Sequence, residues 1–145
     1  MISFYLHPDA GQAALPTKAT DNAGAYDLYM PAATKIPPKQ TIKVRLGLSW
    51  DTHGSNFAGL IMPRSSTYGK YGITLANTLG LIDQDFAGEW KVQVTNVTDK
   101  DVVIEQGSRL FQLLILQVPT TNLVQASAPP NKTARGDQGF GTTGT

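Results

Sequence analysis

The stretch GLIDQDFAG, residues 80–88, runs from two apolar residues, Leu81 and Ile82, into two carboxylates, Asp83 and Asp85, and then an aromatic ring, Phe86. Strand sequences usually avoid Asp, so this pair of acids needs a reason. Few other groups in the chain could move a proton. There are two histidines, His7 and His53, both in turn-like stretches, and no cysteine. A thiolate zinc site and a disulfide framework are therefore excluded, no Ser–His–Asp set is apparent, and both histidines read as surface residues. A general base, if the protein uses one, is a carboxylate. The candidates are Asp27 in AGAYDL, Asp83 and Asp85, each embedded in apolar sequence. The same acids could equally cap turns or accept a buried hydrogen bond, the common fate of a strand-end Asp.

Two further stretches suggest anion binding. PRSS, residues 63–66, sets an arginine beside two hydroxyls after an apolar run; it is either a polar turn or an anion site. RGDQGFGTTG, residues 135–144, is rich in Gly and Thr but lacks the Lys of a phosphate-binding Walker loop. Its glycines would let backbone amides approach a ligand, Arg135 offers a fork for phosphate, and Phe140 offers a stacking face. Composition alone favours a frayed tail here; a mobile arm that orders over a ligand is the sharper alternative.

The elements that must hold these groups are strands. TIKVRLGLSW alternates Ile42, Val44, Leu46 and Leu48 against Lys43 and Arg45, which predicts one half-buried strand. EWKVQVTNV repeats the pattern with Trp90, Val92 and Val94. DVVIEQGSRLFQLLILQV predicts a short strand, a turn at Gln106–Gly107, and a longer strand buried on both faces. A single helical turn around SSTYGK is the only helix expected. Gly and Pro punctuate the rest, and no repeat of fixed period is visible. Many short strands between turn signals predict an all-β sandwich or barrel.

The chain has 145 residues, enough for one domain with a substantial core. Its composition, 41% hydrophobic and 16% charged, is globular. A net charge of +1 gives no broad electrostatic footprint for nucleic acid or an anionic membrane. The first residues make a poor signal peptide, and no apolar segment reaches a membrane span. An intracellular, cytoplasmic location fits.

Taken in order, AGAYDL, PRSS, NTLGLIDQDFAG, GSRLFQL and RGDQGFGTTG resemble the five ordered motifs of the homotrimeric dUTPases, over Ala23 to Gly144. The resemblance implies a jelly-roll-like β subunit over residues 1–125 and a flexible arm over 126–145. It implies Mg²⁺-assisted hydrolysis of dUTP to dUMP and pyrophosphate, which lowers dUTP and supplies dUMP for thymidylate synthesis. It implies three sites shared between the subunits of a trimer, and a cytoplasmic enzyme of a bacterium or, in a host cell, of a phage. Asp83 then positions the attacking water, and Asp27 holds Mg²⁺ through water. Asn77, with backbone groups of the hairpin at Gly80 and Ile82, reads uracil. Phe86, where the family usually has Tyr, packs on the deoxyribose. Arg64, Ser65, Ser66 and Gln112 contact the α and β phosphates. From the arm, Arg135, Gly139, Gly141, Thr142 and Thr143 close on the γ end while Phe140 stacks on the base. Asp85 would hold the hairpin by hydrogen bonds. Ala25 and Ser66 depart from the glycines common at those positions. A binding module that sequesters dUTP without turnover, and the related dCTP deaminases, share the fold and remain alternatives.

Overall fold

Gly47 decides where the first long strand breaks. It sits at φ +68°, and a Cβ there would lie 2.8 Å from the Ala13 methyl, so the chain can turn there only with glycine. The alternating run expected as one strand is therefore two, β4 (Thr41–Arg45) and β5 (Leu48–Asp51). They pair with different partners, β4 with β9 (Lys91–Asn96) and β5 with β1 (Ser3–Leu6). In this computed structural model the described residues are 1–130, Thr133, Ala134 and Gly136. The expectations at Arg135, Gly139, Phe140, Gly141, Thr142 and Thr143 lie outside the described residues.

The remaining strands are β2 (Tyr26–Leu28), β3 (Thr34–Ile36), β6 (Phe57–Pro63), β7 (Ile73–Leu75), β8 (Gly80–Ile82), β10 (Val102–Ile104) and β11 (Phe111–Gln117). One short helix, α1 (Thr67–Tyr71), follows PRSS, where the single turn was expected. The fold is all-β and jelly-roll-like. Every ladder is antiparallel: β2–β11–β6–β8, β4–β9–β7, and the pairs β1–β5 and β3–β10. The inward residues of these ladders form one apolar core. Trp90 is fully buried at its centre, edge-on to Phe4 and Trp50 at 5.6 and 5.3 Å between ring centroids.

Two further features differ from the sequence reading. NTLGLIDQDF does not make a paired hairpin: β7 joins β9 while β8 joins β6, so residues 76–79 carry the chain from one sheet to another. Thr78, at φ +65°, makes that crossing. Nor is β11 buried on both faces. Phe111 and Leu113 enter the core, but Leu116 is exposed on the other side. Leu60 of β6 stands opposite both Leu81 and Leu114 on that outer face, and Leu81 is 60% exposed. The run is apolar on both faces, yet among the described residues only the inner face has a layer packed on it.

Candidate functional site

Ile82 ends β8 with its side chain in the core, so the next residue, Asp83, points outward by the pleat and is exposed. Its backbone is fixed from below. The Asp83 carbonyl accepts hydrogen bonds from Trp50 Nε1 at 3.1 Å and from the Phe86 N–H at 3.2 Å. The Gln84 carbonyl accepts a longer one from Thr52 Oγ1 at 3.5 Å. This turn is held by main-chain carbonyls. Asp85 is not the tie expected of it: its carboxylate is exposed and makes no hydrogen bond among the described residues. Phe86 lies over Gly88, where a Cβ would come within 2.8 Å of the ring's Cζ. The ring is 44% exposed.

A cleft of about 380 Å³ opens beside this turn. It brings Ile82, Asp83 and Phe86 together with three residues the sequence reading did not single out, Lys43, Glu89 and Lys91. Asp83 also borders a second cleft of about 480 Å³, with Asp85 and the residues after β11. Gly80 faces Ile61 in the core side of the ladder. Asn77 stands exposed on the crossing loop, where its carbonyl accepts the Leu79 N–H at 2.6 Å. Its side-chain amide makes no hydrogen bond among the described residues.

A basic cluster forms at the far end of β6. Asp27 in β2 is buried, 5% exposed, and both its oxygens are taken by guanidinium groups. Arg64 Nε donates to Oδ1 at 2.8 Å and Arg109 NH1 to Oδ2 at 3.0 Å. A buried carboxylate must be paired; here one negative charge aligns two positive ones and leaves an excess of +1. Arg64 NH1 also donates to the Arg109 carbonyl at 3.1 Å. Gln112 stands opposite Asp27 in the β2–β11 ladder and donates to the Pro63 carbonyl at 3.1 Å. Arg64, Ser66 and Arg109 line a polar cleft of about 290 Å³ with Lys70, Tyr71 and Ser108. Ser65 and Ser66 are exposed in the turn before α1, and Ser66 spends no hydrogen bond on capping the helix. Arg109 was missed. Its signal in the sequence was the buried Asp27, which needed a cation from somewhere.

Asp27 does not offer a metal an inner-shell ligand, because each oxygen already accepts from an arginine. Each oxygen keeps a second lone pair, so a metal-bound water could still donate to it. Among the described residues no three His, Asp or Glu side chains gather into a metal cage. The donor set fits Mg²⁺ only as an outer-shell partner of an ion whose inner ligands come from elsewhere.

Elsewhere, Ser3 and His53 are not independent surface residues. His53 Nε2 lies 2.8 Å from Ser3 Oγ and His53 Nδ1 3.4 Å from Asp51 Oδ2. This Ser–His–Asp cluster, invisible in the sequence, is solvent-exposed and borders none of the three clefts described above.

The Asp83 turn and the Arg64 cluster are far apart in one chain. Ile82 pairs with Gly59 near the start of β6, whereas Arg64 follows its last residue, Pro63. Continuing that register sets Asp83 beside Ala58, six residues of extended chain from Arg64 and so about 20 Å away.

A family model described as dUTPase matches residues 11–144. The chain belongs to the dUTPase family. Among its curated relatives, the deoxyuridine 5'-triphosphate nucleotidohydrolase of Acinetobacter baumannii (strain ATCC 17978) is 40% identical over 132 residues, covering 90% of this chain and 87% of the relative. That of Hydrogenobaculum sp. (strain Y04AAS1) is 38% identical over 133 residues, 91% of each chain. Among solved structures, the Staphylococcus bacteriophage 80alpha dUTPase with dUPNHPP superposes with a TM-score of 0.86 at 19% identity, covering 100% of this chain and 99% of that one. That likeness is one of fold. The dUTPase match spans both ends of β6, the Asp83 turn and the Asp27 arginine pair alike.

Proposed function

We propose that this dUTPase chain hydrolyses dUTP to dUMP and pyrophosphate at sites shared between subunits of a homotrimer. The observation that carries the shared site is the separation along β6. In-line attack needs the water held by Asp83 within about 3–3.5 Å of the phosphorus. A triphosphate gripped by Arg64 of the same chain cannot bring its α-phosphorus there across about 20 Å of strand. Asp83 of one subunit and Arg64 of the next can meet. The outer-face leucines of β6, β8 and β11, of which Leu81 and Leu116 are exposed, supply an apolar face for the association.

In this reading Asp83 orients a water and accepts its proton as the water oxygen bonds to the α-phosphorus. The bond from that phosphorus to the bridging oxygen breaks, and its electron pair leaves with pyrophosphate. Arg64 and Arg109, aimed by Asp27, together with Ser65, Ser66 and Gln112, hold the α and β phosphates and meet the developing charge. Phe86 lays its ring against C2′, where a 2′-hydroxyl would clash. Asn77 donates to uracil O4, and the backbone at Gly80 and Ile82 pairs with N3–H. Cytosine inverts both groups, and a mismatched buried polar pair costs about 1–3 kcal/mol. Mg²⁺, when bound with the triphosphate, supplies charge neutralisation, and Asp27 would hold it through water. The segment 126–145, with Arg135, Gly139, Phe140, Gly141, Thr142 and Thr143, would close over the γ end and the base.

A pyrophosphate-release assay against dUTP, dCTP, dTTP and UTP tests this. The expected outcome is turnover of dUTP alone at micromolar substrate. Ammonia release from dCTP would make the protein a deaminase, and tight dUTP binding without pyrophosphate would make it a sequestering module.

A further inference from the structure

The loop carrying Asp83 and Phe86 is tied down at two ends. The near end hangs on Trp50 through the Asp83 carbonyl. The far end is Glu89, which borders the same cleft as Asp83 and Phe86 although its side chain is only 11% exposed. Arg45 holds it: the Nε–H is shared between the two carboxylate oxygens at 2.8 and 2.9 Å. The same guanidinium donates from NH2 to Asp9 Oδ2 at 2.9 Å and from NH1 to the Asp9 carbonyl at 3.2 Å. One arginine thus bridges the loop, β4 and the 3₁₀ turn Pro8–Ala10. The hydrogen bonds to Glu89 and then Asp9 raise the Arg45 pKa above its ordinary value. Arg45 in return lowers that of Asp9.

The alternatives open to Glu89 show why a guanidinium matters. Arg45 stands directly opposite Lys91 in the β4–β9 ladder, a like-charge pair that repels. Lys43 and Lys91 both face the cleft with Glu89. Either ammonium could take the carboxylate as a point charge with no fixed direction; the planar guanidinium sets both direction and distance. Gly88, on which the Phe86 ring rests, is the residue just before Glu89.

We propose that Arg45 is a positioning residue: by gripping Glu89 it sets where Asp83 and Phe86 stand against the nucleotide. The inference rests on the functional reading above. A displacement of about 1 Å at a reacting group can cost on the order of 10²-fold in rate. Arg45 lines neither cleft beside Asp83, so its effect is expected in kcat and in sugar selection.

The test measures kcat and KM for dUTP and UTP in the wild type, R45K, R45M, E89Q and R45M/E89Q, each checked for wild-type elution volume and a cooperative melt. R45M is expected to lose at least about tenfold in kcat and several-fold in the dUTP-to-UTP ratio. R45K restores charge without the bridging geometry and should recover little. The double variant should be no worse than R45M, because E89Q weakens the same Arg45–Glu89 contact that R45M already removes together with the Asp9 hydrogen bonds. A folded R45M with wild-type kcat and ratio overturns the proposal, as do losses that multiply in the double variant. Should R45M not fold, E89Q, which keeps Arg45, decides by the same two readouts. A wild type that does not hydrolyse dUTP defeats the functional reading and this inference together; an active wild type with unaffected variants defeats the inference alone.

Discussion

Asp83 owes its direction to its neighbours' backbone. Ile82 is locked in the core, Trp50 grips the Asp83 carbonyl, and the carboxylate is left free in the cleft. A group so placed can turn to a water without reorganising the turn. Asp83→Asn is nearly isosteric and keeps the backbone hydrogen bonds, so nucleotide affinity by calorimetry should stay within a few-fold of wild type. The hydrolysis rate should fall by about 10²–10⁴-fold, the usual worth of a general base; a near wild-type rate would remove Asp83 from that role. Acids in an apolar run drew attention to Asp83 and Asp27 because their cost in a strand is local. Their partners were not legible. Arg109 meets Asp27 across 82 residues of sequence, and Arg45 meets Glu89 across 44. Nothing in GSRLFQL or TIKVRL says which distant carboxylate each arginine will find.

Elements were legible where one face alone is buried. β9 shows this best: Val92, Val94 and Asn96 turn inward while Lys91 and Gln93 turn out. Where steric detail governs, periodicity failed. The break between β4 and β5 depends on the crowding of Gly47 by Ala13 and Ala10, and the crossing at residues 76–79 depends on Thr78 accepting a left-handed conformation. The seat of Phe86 is a detail of the same kind. Gly88→Ala would drive a methyl into the ring, which must lift away from its seat. The variant should fold, since the loop is at the surface, yet behave like Phe86→Ala, with a smaller dUTP-to-UTP efficiency ratio. Phe86→Tyr keeps the ring face and should match the wild type. An unchanged ratio in both Gly88→Ala and Phe86→Ala would mean that another residue reads the sugar.

At the scale of the molecule, one chain carries two separated candidate clusters and, among the described residues, an apolar outer face. β11 reads as doubly buried because its outer face is also leucine-rich; in the proposed trimer that face would meet other chains, which a single sequence expresses only as excess hydrophobicity. A fully exposed leucine wholly removed from water contributes about 1.5–3 kcal/mol; Leu81 and Leu116, partly exposed in the single chain, would each contribute a share of that to a trimer, with smaller shares from the half-buried Leu60 and Leu114. Shared sites make a sharper claim than association alone. Asp83→Asn and Arg64→Ala are each expected to be inactive by themselves. Unfolded together in equal amounts and refolded, they would assemble at random into cyclic trimers, about three quarters of them mixed. Each mixed trimer has one junction where a chain with intact Asp83 meets a chain with intact Arg64, one good site of three. About a quarter of wild-type activity should therefore return. If each site were built within one chain, every site would carry a defect and no activity would return. Native mass spectrometry of the refolded mixture shows whether mixed trimers formed, and mixed trimers as inactive as their parents would rule out a site drawn from two chains.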